Sequence, residues 1–346
     1  MFFGSKNDDY YVGIDFGTRS VKAVEVSMKK NKPELVNYGW ITLDQVKETL
    51  NDSEVDYAEL LRIALIRLLK ELKPQSKKVN IAIPAFNGLV VMIDFPLMKN
   101  DEELSQAIQY EARKYIPTSL EDVNISWDRT SIDEENKTMK VILVAAPKSE
   151  VQYYDDLFEG TDVIVDSLEL ETFALVRSLV GKEKGHYILL DIGAKTTNLV
   201  YVEDGAVHIN RNVDVGGVDI TSTIAENLNI SLVRAREMKE SGKNFFTGPM
   251  PLVFPSLEYI VAEVRRILGE KKSQTLDAVI VSGGSAMMPG LSAHIAKVSG
   301  LKVIVGNPLS RVIIDPKIAR HIEGSVGSSL AVVIGLALLA VEQKES

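Results

Sequence analysis

The chain has no cysteine, so no disulfide framework and no thiolate chemistry is open to it, which suits a reducing cytoplasm. Histidine is scarce as well. The four residues His186, His208, His294 and His321 are scattered without metal-ligand spacing and read as surface or packing groups. Tryptophan occurs twice, at Trp40 and Trp127, both on predicted strands, where packing is the expected role. Positive charge is in deficit: 39 Lys and Arg stand against 48 Asp and Glu, for a net charge of −9, which argues against a nucleic-acid backbone as the main partner. The acidic run Asp133-Glu134-Glu135 reads as a solvated turn. Long apolar runs are missing too. The segment Met1 to Asp9 lacks the apolar core of a secretion signal. The strongest apolar run, Leu330 to Val341, falls short of the roughly 20 residues of a spanning helix and reads as a buried terminal helix.

What the chain does have is one design written twice. Tyr10-Tyr11-Val12-Gly13-Ile14-Asp15-Phe16-Gly17-Thr18 and Tyr187-Ile188-Leu189-Leu190-Asp191-Ile192-Gly193-Ala194-Lys195-Thr196-Thr197 each run as an apolar strand, an aspartate, a glycine two residues on, small or hydroxylated residues, and a further strand. Glycine at such a turn lets backbone N–H groups converge on an anion. The aspartate at each tip would repel a bare phosphate, so the pair calls for an intervening hydrated divalent cation, magnesium above all. With 346 residues the chain has length for two domains of roughly 150–170 residues, enough to clamp a nucleotide between two related halves.

Around these hairpins the pattern predicts strands at Ser20–Ser27 and Glu34–Thr42 and a helix over Tyr57–Leu72. A segment of different texture follows. It has strands at Val79–Pro84 and Leu89–Phe95, a helix at Asp101–Tyr115, a hairpin of Val123–Ile132 with Lys140–Ala146, a helix at Ser149–Phe158 and a short strand at Val163–Val165. Its β-α-β-β-α order marks an insert. Glu169–Val180 reads as a helix. Beyond the second hairpin lie Gly216-Gly217 and three predicted helices at Val218–Leu228, Ser231–Lys239 and Ser256–Leu268. The strand Asp277–Ser282 then runs into Gly283-Gly284-Ser285-Ala286-Met287-Met288-Pro289, with a helix opened by Pro289. Glycines there would let a purine and its ribose approach the backbone.

These three motifs, in this order, resemble phosphate 1 (Asp15 to Thr18), phosphate 2 (Asp191 to Thr197) and the adenosine segment (Ser282 to Pro289) of the actin, DnaK-type chaperone and sugar-kinase superfamily. Within it the chain is most similar to the PilM family of type IV pilus assembly. The finer likeness rests on Gly13 to Gly17 with Ser20 to Val26, on Tyr110-Glu111-Ala112-Arg113-Lys114-Tyr115-Ile116-Pro117, on Phe173-Ala174-Leu175 and on Asn307-Pro308. The resemblance implies an α/β, actin-like two-domain ATPase fold built of duplicated ribonuclease H-like domains, with a PilM- and FtsA-type 1C insert. Residues 1–78 would begin subdomain 1A and 79–165 form 1C. Residues 166–184 would be the connecting helix, 185–325 domain 2, and 326–346 a helix returning to 1A.

The resemblance further implies ATP in the interdomain cleft. Gly17, Thr18, Arg19 and Ser20 would meet its phosphates, with Lys22 as a cationic donor, and Asp15 and Asp191 would hold Mg2+ through water. Gly193, Lys195, Thr196 and Thr197 would form the opposite loop. Gly216 and Gly217 would contact phosphate or ribose, with Lys239 nearby, and Gly283, Gly284, Ser285 and Met288 would line the nucleoside. Glu171 is either the group that orients an attacking water or a solvated helix residue. Two departures from the superfamily pattern matter. Lys195 replaces a usual glycine, which favours binding over hydrolysis and points to weak or absent ATPase activity. Arg236 stands where relatives carry a ribose-binding acid, and could stack on adenine instead. The family's partner is the N-terminal cytoplasmic peptide of PilN, and through it PilO and the pilus assembly complex. The peptide is expected between 1A and 1C, near Ile81–Phe86 and Tyr110–Ile116. The protein would be cytoplasmic and reach the inner membrane only through that partner, with self-association open. The alternatives are an FtsA-like filament-forming division protein and a small-molecule kinase of the same superfamily.

Overall fold

The computed structural model describes residues 9–29, 32–50, 55–271, 275–315, 318, 319, 322 and 327–345. His321 and the first eight residues considered for a leader lie outside these. Two sheets share one construction. In the first, β3 (Lys32–Thr42), β2 (Ser20–Lys29) and β1 (Tyr10–Phe16) are antiparallel neighbours, and β4 (Lys78–Ile83) and β8 (Ile164–Leu170) extend the sheet in parallel beyond β1. In the second, β11 (Ala206–Val213), β10 (Thr197–Glu203), β9 (His186–Ile192), β12 (Ala278–Ser282) and β13 (Val303–Val305) repeat that order and those orientations. The repetition read from two hairpins therefore extends to five strands in each half. A two-residue strand, β14 (Ile313–Ile314), adds an edge to the first sheet beside β3.

A third sheet of β5 (Leu89–Pro96), β7 (Thr138–Pro147) and β6 (Val123–Asp133) lies between β4 and β8 in sequence. With α3 (Asp101–Ala112) and α4 (Lys148–Asp156) it gives the β-α-β-β-α order of the insert. The run 79–83, assigned to the insert from sequence, pairs instead with β1, and residues 164 and 165 pair with β4. The insert strands therefore occupy a narrower stretch than 79–165. Sequence periodicity shows that β4 is a buried strand but not which sheet receives it. We propose that the remaining domain boundaries follow the sheets.

The helices form where sequence punctuates them. Asp56 caps α2 (Tyr57–Leu72) by accepting from Ala58 N at 3.2 Å, and Lys73, at φ 48°, ends it in the left-handed region. Leu60, Leu61, Ala64, Leu65 and Leu68 of this helix pack on Val12, Ile14 and Phe16 of β1. One helix, α1 (Leu43–Leu50), was not read from the sequence. It follows β3 directly, with Thr42 and Gln45 exchanging hydrogen bonds at its start. The predicted helix at 169–180 is shortened to α5 (Glu171–Leu179) because Glu169 and Leu170 finish β8.

The apolar run at the chain's end forms most of α10 (Ala331–Glu345), in which Ala331 to Leu338 are all buried, as eight successive apolar residues in a helix demand. It lies against Tyr11, Val24 and Leu35 of the first sheet on one side. On the other, Ala331, Val332 and Leu336 join Leu175 of α5 and Leu189, Val200 and Ile280 of the second sheet in one core. This helix and α5 therefore bridge the two halves. Among the described residues no helix is long and apolar enough to cross a membrane.

Candidate functional site

The two duplicated turns face a common cavity of about 510 Å³, a volume typical of small-ligand sites. They match bond for bond. Gly17 N donates to Ser20 O at 3.0 Å in one, and Gly193 N donates to Thr196 O at 3.0 Å in the other. Gly17, Thr18, Arg19, Ser20 and Lys22 line the cavity from the first sheet, and Gly193, Ala194, Thr196 and Asn198 line it from the second.

Three carboxylates converge beneath the turns. Asp15 ends β1 opposite Lys22 of β2, whose Nζ lies 3.6 Å from its Oδ2. Asp191 sits at the equivalent place in β9 and accepts from Ser282 Oγ at 2.7 Å. Glu171, in the first turn of α5, accepts from Ala85 N at 3.0 Å. It lines the cavity, which removes the reading of it as a solvated helix residue. Burial, then the charges of Asp191 and Asp15, push its pKa up to about 8. Burial likewise raises that of Asp191, against the hydrogen bond from Ser282.

The sign of the Glu171 shift sets a stability profile. Between about 4.5 and about 8 the folded protein holds a proton that the unfolded chain has released, so stability falls as pH rises through that window. Glu171→Gln keeps an acceptor for Ala85 N and removes the titration. It is expected to stabilise the unliganded protein by about 2 kcal/mol at pH 8 and to flatten the profile down to pH 5. Urea unfolding of both proteins at the two pH values checks this; parallel profiles would contradict it.

The remaining wall comes from the second half. Gly217 opens α6 (Gly217–Leu228), and its N–H and that of Val218 donate to Gly193 O and Ala194 O, fastening the helix to the second turn. Lys239, on α7 (Leu232–Glu240), donates to Gly217 O at 2.7 Å and to Thr221 Oγ1 at 2.8 Å. Burial lowers its pKa to about 8, and Arg19 and Arg236 add to the effect against Glu240. Gly283 carries φ 86° after β12, and a Cβ there would lie 2.5 Å from Ile192 O. No other residue type fits that turn. Gly283, Gly284, Ser285 and Met288 all line the cavity. Pro289 does not open the helix that follows. A short 3₁₀ turn, Gly284–Met287, intervenes, and α9 (Leu291–Ser299) begins after Gly290 in the left-handed conformation.

Five sequence expectations are corrected by position. Lys195 is exposed and does not line the cavity, whereas its neighbours Ala194 and Thr196 do. Thr197 is fully buried and donates to Val215 O at 2.7 Å, and Gly216 backs the turn with Asp219 bonded to its N–H. Arg236 is bound to Asp44 of α1, which opposes the role of stacking on a base. Trp40, expected to pack, is 41% exposed, stacks on Tyr38 and lines the cavity mouth. Trp127 does pack, against the insert core with Arg129 over its ring. Of the expected peptide segments, Ile81, Ala82, Ile83 and Ala85 are buried; Phe86, Tyr110 and Tyr115 are exposed. Asn198 and Glu240 are cavity residues that sequence reading passed over. Asn198 pairs across the hairpin with Asp191, a register that could have marked it.

The family model for "Type IV pilus assembly protein PilM" matches residues 13–341. The chain belongs to the PilM family. The structure superposes on the solved PilM-PilN type IV pilus biogenesis complex with a TM-score of 0.80 at 24% identity, covering 96% of this chain and 98% of the other. MreB5 of Spiroplasma citri bound to ADP superposes with a TM-score of 0.51 at 12% identity, covering 98% of each chain. The fold is therefore the actin-like ATPase fold. In sequence, the ethanolamine utilization protein EutJ of Salmonella typhimurium is 32% identical over 105 residues. That match covers 30% of this chain and 36% of EutJ, about a third of that protein's length.

Proposed function

We propose that this PilM-family protein is a nucleotide-dependent scaffold of the type IV pilus inner-membrane assembly platform. In this reading it binds ATP with Mg2+ in its cleft and the N-terminal cytoplasmic peptide of PilN on its surface. The observation that carries the reading is the pair of matching turns across one cavity, each with its aspartate beneath. Lys22 and Lys239 suit the phosphates, and the glycine-lined wall from Gly283 to Met288 suits the nucleoside.

The donor set fits a hydrated cation rather than a directly caged one. Among the described residues no group of three or more His, Asp and Glu side chains is placed to hold a metal outright. Burial raises the pKa of Glu171 most, and the charges of Asp191 and Asp15 add to it, so the three carboxylates lie close enough to share a cation's field. Asn198 Oδ1 is buried without a donor, and is an acceptor that a metal-bound water would satisfy. Asp15 and Asp191 would hold Mg2+ through water, and the ion would neutralise phosphate charge. Without a cation, burial and then the charges of Asp191 and Asp15 push the pKa of Glu171 up to about 8; a bound cation would draw it down.

Glu171 also supplies a route from cleft to surface. Its bond to Ala85 N anchors the turn Ala85–Asn87, which leads into the insert, and Asn87 in turn donates to Glu150 of α4 at 2.6 Å. A ligand that shifts Glu171 moves the insert's attachment, and a peptide that prefers one position must then bind in step with nucleotide. PilN, and PilO through it, are assigned as partners on family membership, and the membrane is reached only through them. Titration of the protein with the PilN N-terminal peptide, with and without ATP and Mg2+, is expected to show binding that nucleotide strengthens. No association in either condition would overturn the assignment.

A further inference from the structure

Four charged side chains close the mouth of the cavity. Arg19, at the tip of the first turn, places Nη1 2.6 Å from Glu240 Oε1 and Nε 3.9 Å from Asp44 Oδ2. Arg236 Nη1 donates to the same Asp44 Oδ2 at 2.5 Å. Arg19 and Asp44 belong to the first half of the molecule. Arg236 and Glu240 lie one helical turn apart on α7 of the second. The contacts join positions 221 and 192 residues apart in sequence, and the signs alternate along the row Glu240, Arg19, Asp44, Arg236, which carries no net charge.

We propose that this row of ion pairs is a clasp that gates nucleotide exchange. The proposal rests on the nucleotide reading of the cleft, and three of its members line that cavity, Asp44 alone standing outside. The side chains are between 35% and 52% exposed. Each contact is therefore weak and opened by salt, yet opening requires the two halves to part. The bonds are imperfect in a way that favours exchange. Arg19 Nε is buried without a hydrogen-bond acceptor, its nearest carboxylate oxygen being too far to accept. Arg19 is also two residues from Gly17, so a phosphate seated at the first turn competes with Asp44 and Glu240 for the guanidinium. The contacts to Asp44 and Glu240 that survive this competition hold the two halves together over the loaded cleft, so losing one of them speeds release.

Asp44→Asn isolates the clasp because Asp44 does not touch the cavity. Dissociation of a fluorescent ATP analogue is expected to be about three- to tenfold faster in this variant at low salt, the difference vanishing near 0.5 M salt. Asp44→Glu should restore the slow rate. Equal rates for wild type and Asp44→Asn would overturn the clasp. If wild type binds no nucleotide the reading of the cleft fails, and the clasp is decided separately. The cysteine-free chain allows spin labels on Lys47→Cys of α1 and Glu237→Cys of α7, both exposed. Their separation should lengthen and broaden with salt or with Asp44→Asn; an unchanged distribution would overturn the proposal.

Discussion

Gly335→Ala is expected to lower the free energy of unfolding by about 3 kcal/mol or more. A Cβ at Gly335 of α10 would lie 1.9 Å from Ala174 O of α5, with Ala174 C at 2.5 Å and Cα at 2.8 Å. These are backbone atoms of a helix, so no rotamer change relieves the contact. The two helices must move apart. They cannot do so freely, because the far side of α10 is pinned in the same way: a Cβ at Gly13 of β1 would meet Val333 O at 2.3 Å. The core on this crossing joins Leu175, Leu189, Val200 and Leu336, so the strain falls on the joint between the halves. Guanidinium unfolding of wild type and variant measures the loss. A loss below about 1 kcal/mol would show that the crossing tolerates separation and is not the fixed joint described above.

Asp191→Ala is expected to weaken binding of ATP with Mg2+ by about 100-fold, equivalent to about 2.7 kcal/mol. Its effect on ATP without the metal should be far smaller. The sign follows from charge. Without a cation, Asp191 would repel the phosphates, so its removal would relieve that repulsion; with a hydrated cation, it would be one of two opposed carboxylates that hold the ion. Loss of the acceptor for Ser282 Oγ is common to both titrations and drops out of the comparison. Equal weakening with and without Mg2+ would remove the metal role from Asp191 and leave only a structural one.

Local periodicity and turn chemistry carried much of this structure in legible form. The hairpin tips at Asp15 and Asp191, the limits of α2 between Asp56 and Lys73, and the glycine-rich turn after β12 are all set by residues adjacent in sequence. Partner choice across the chain was not legible. The run 78–83 is apolar enough to be recognised as a buried strand, but whether it joins β1 or the insert depends on the crossover through α2. The helix at 43–50 was missed because its capping exchange between Thr42 and Gln45 follows a strand without an intervening loop. At the site, most of the turn residues could be placed, but Lys195 and Thr197 could not. Lys195 points outward while Ala194 and Thr196 face the cavity, a choice made by turn geometry. The bonds of Arg19 to Glu240 and of Arg236 to Asp44 were not legible because each of these partners comes from the opposite half of the molecule.

Calorimetric titration of the purified 346-residue chain with ATP and Mg2+, after assay of any nucleotide retained through purification, tests the central claim most directly. One ATP per chain, bound more weakly when Mg2+ is withheld, is the result predicted from the paired turns and their aspartates. A chain that retains no nucleotide and takes up none in the titration would contradict it.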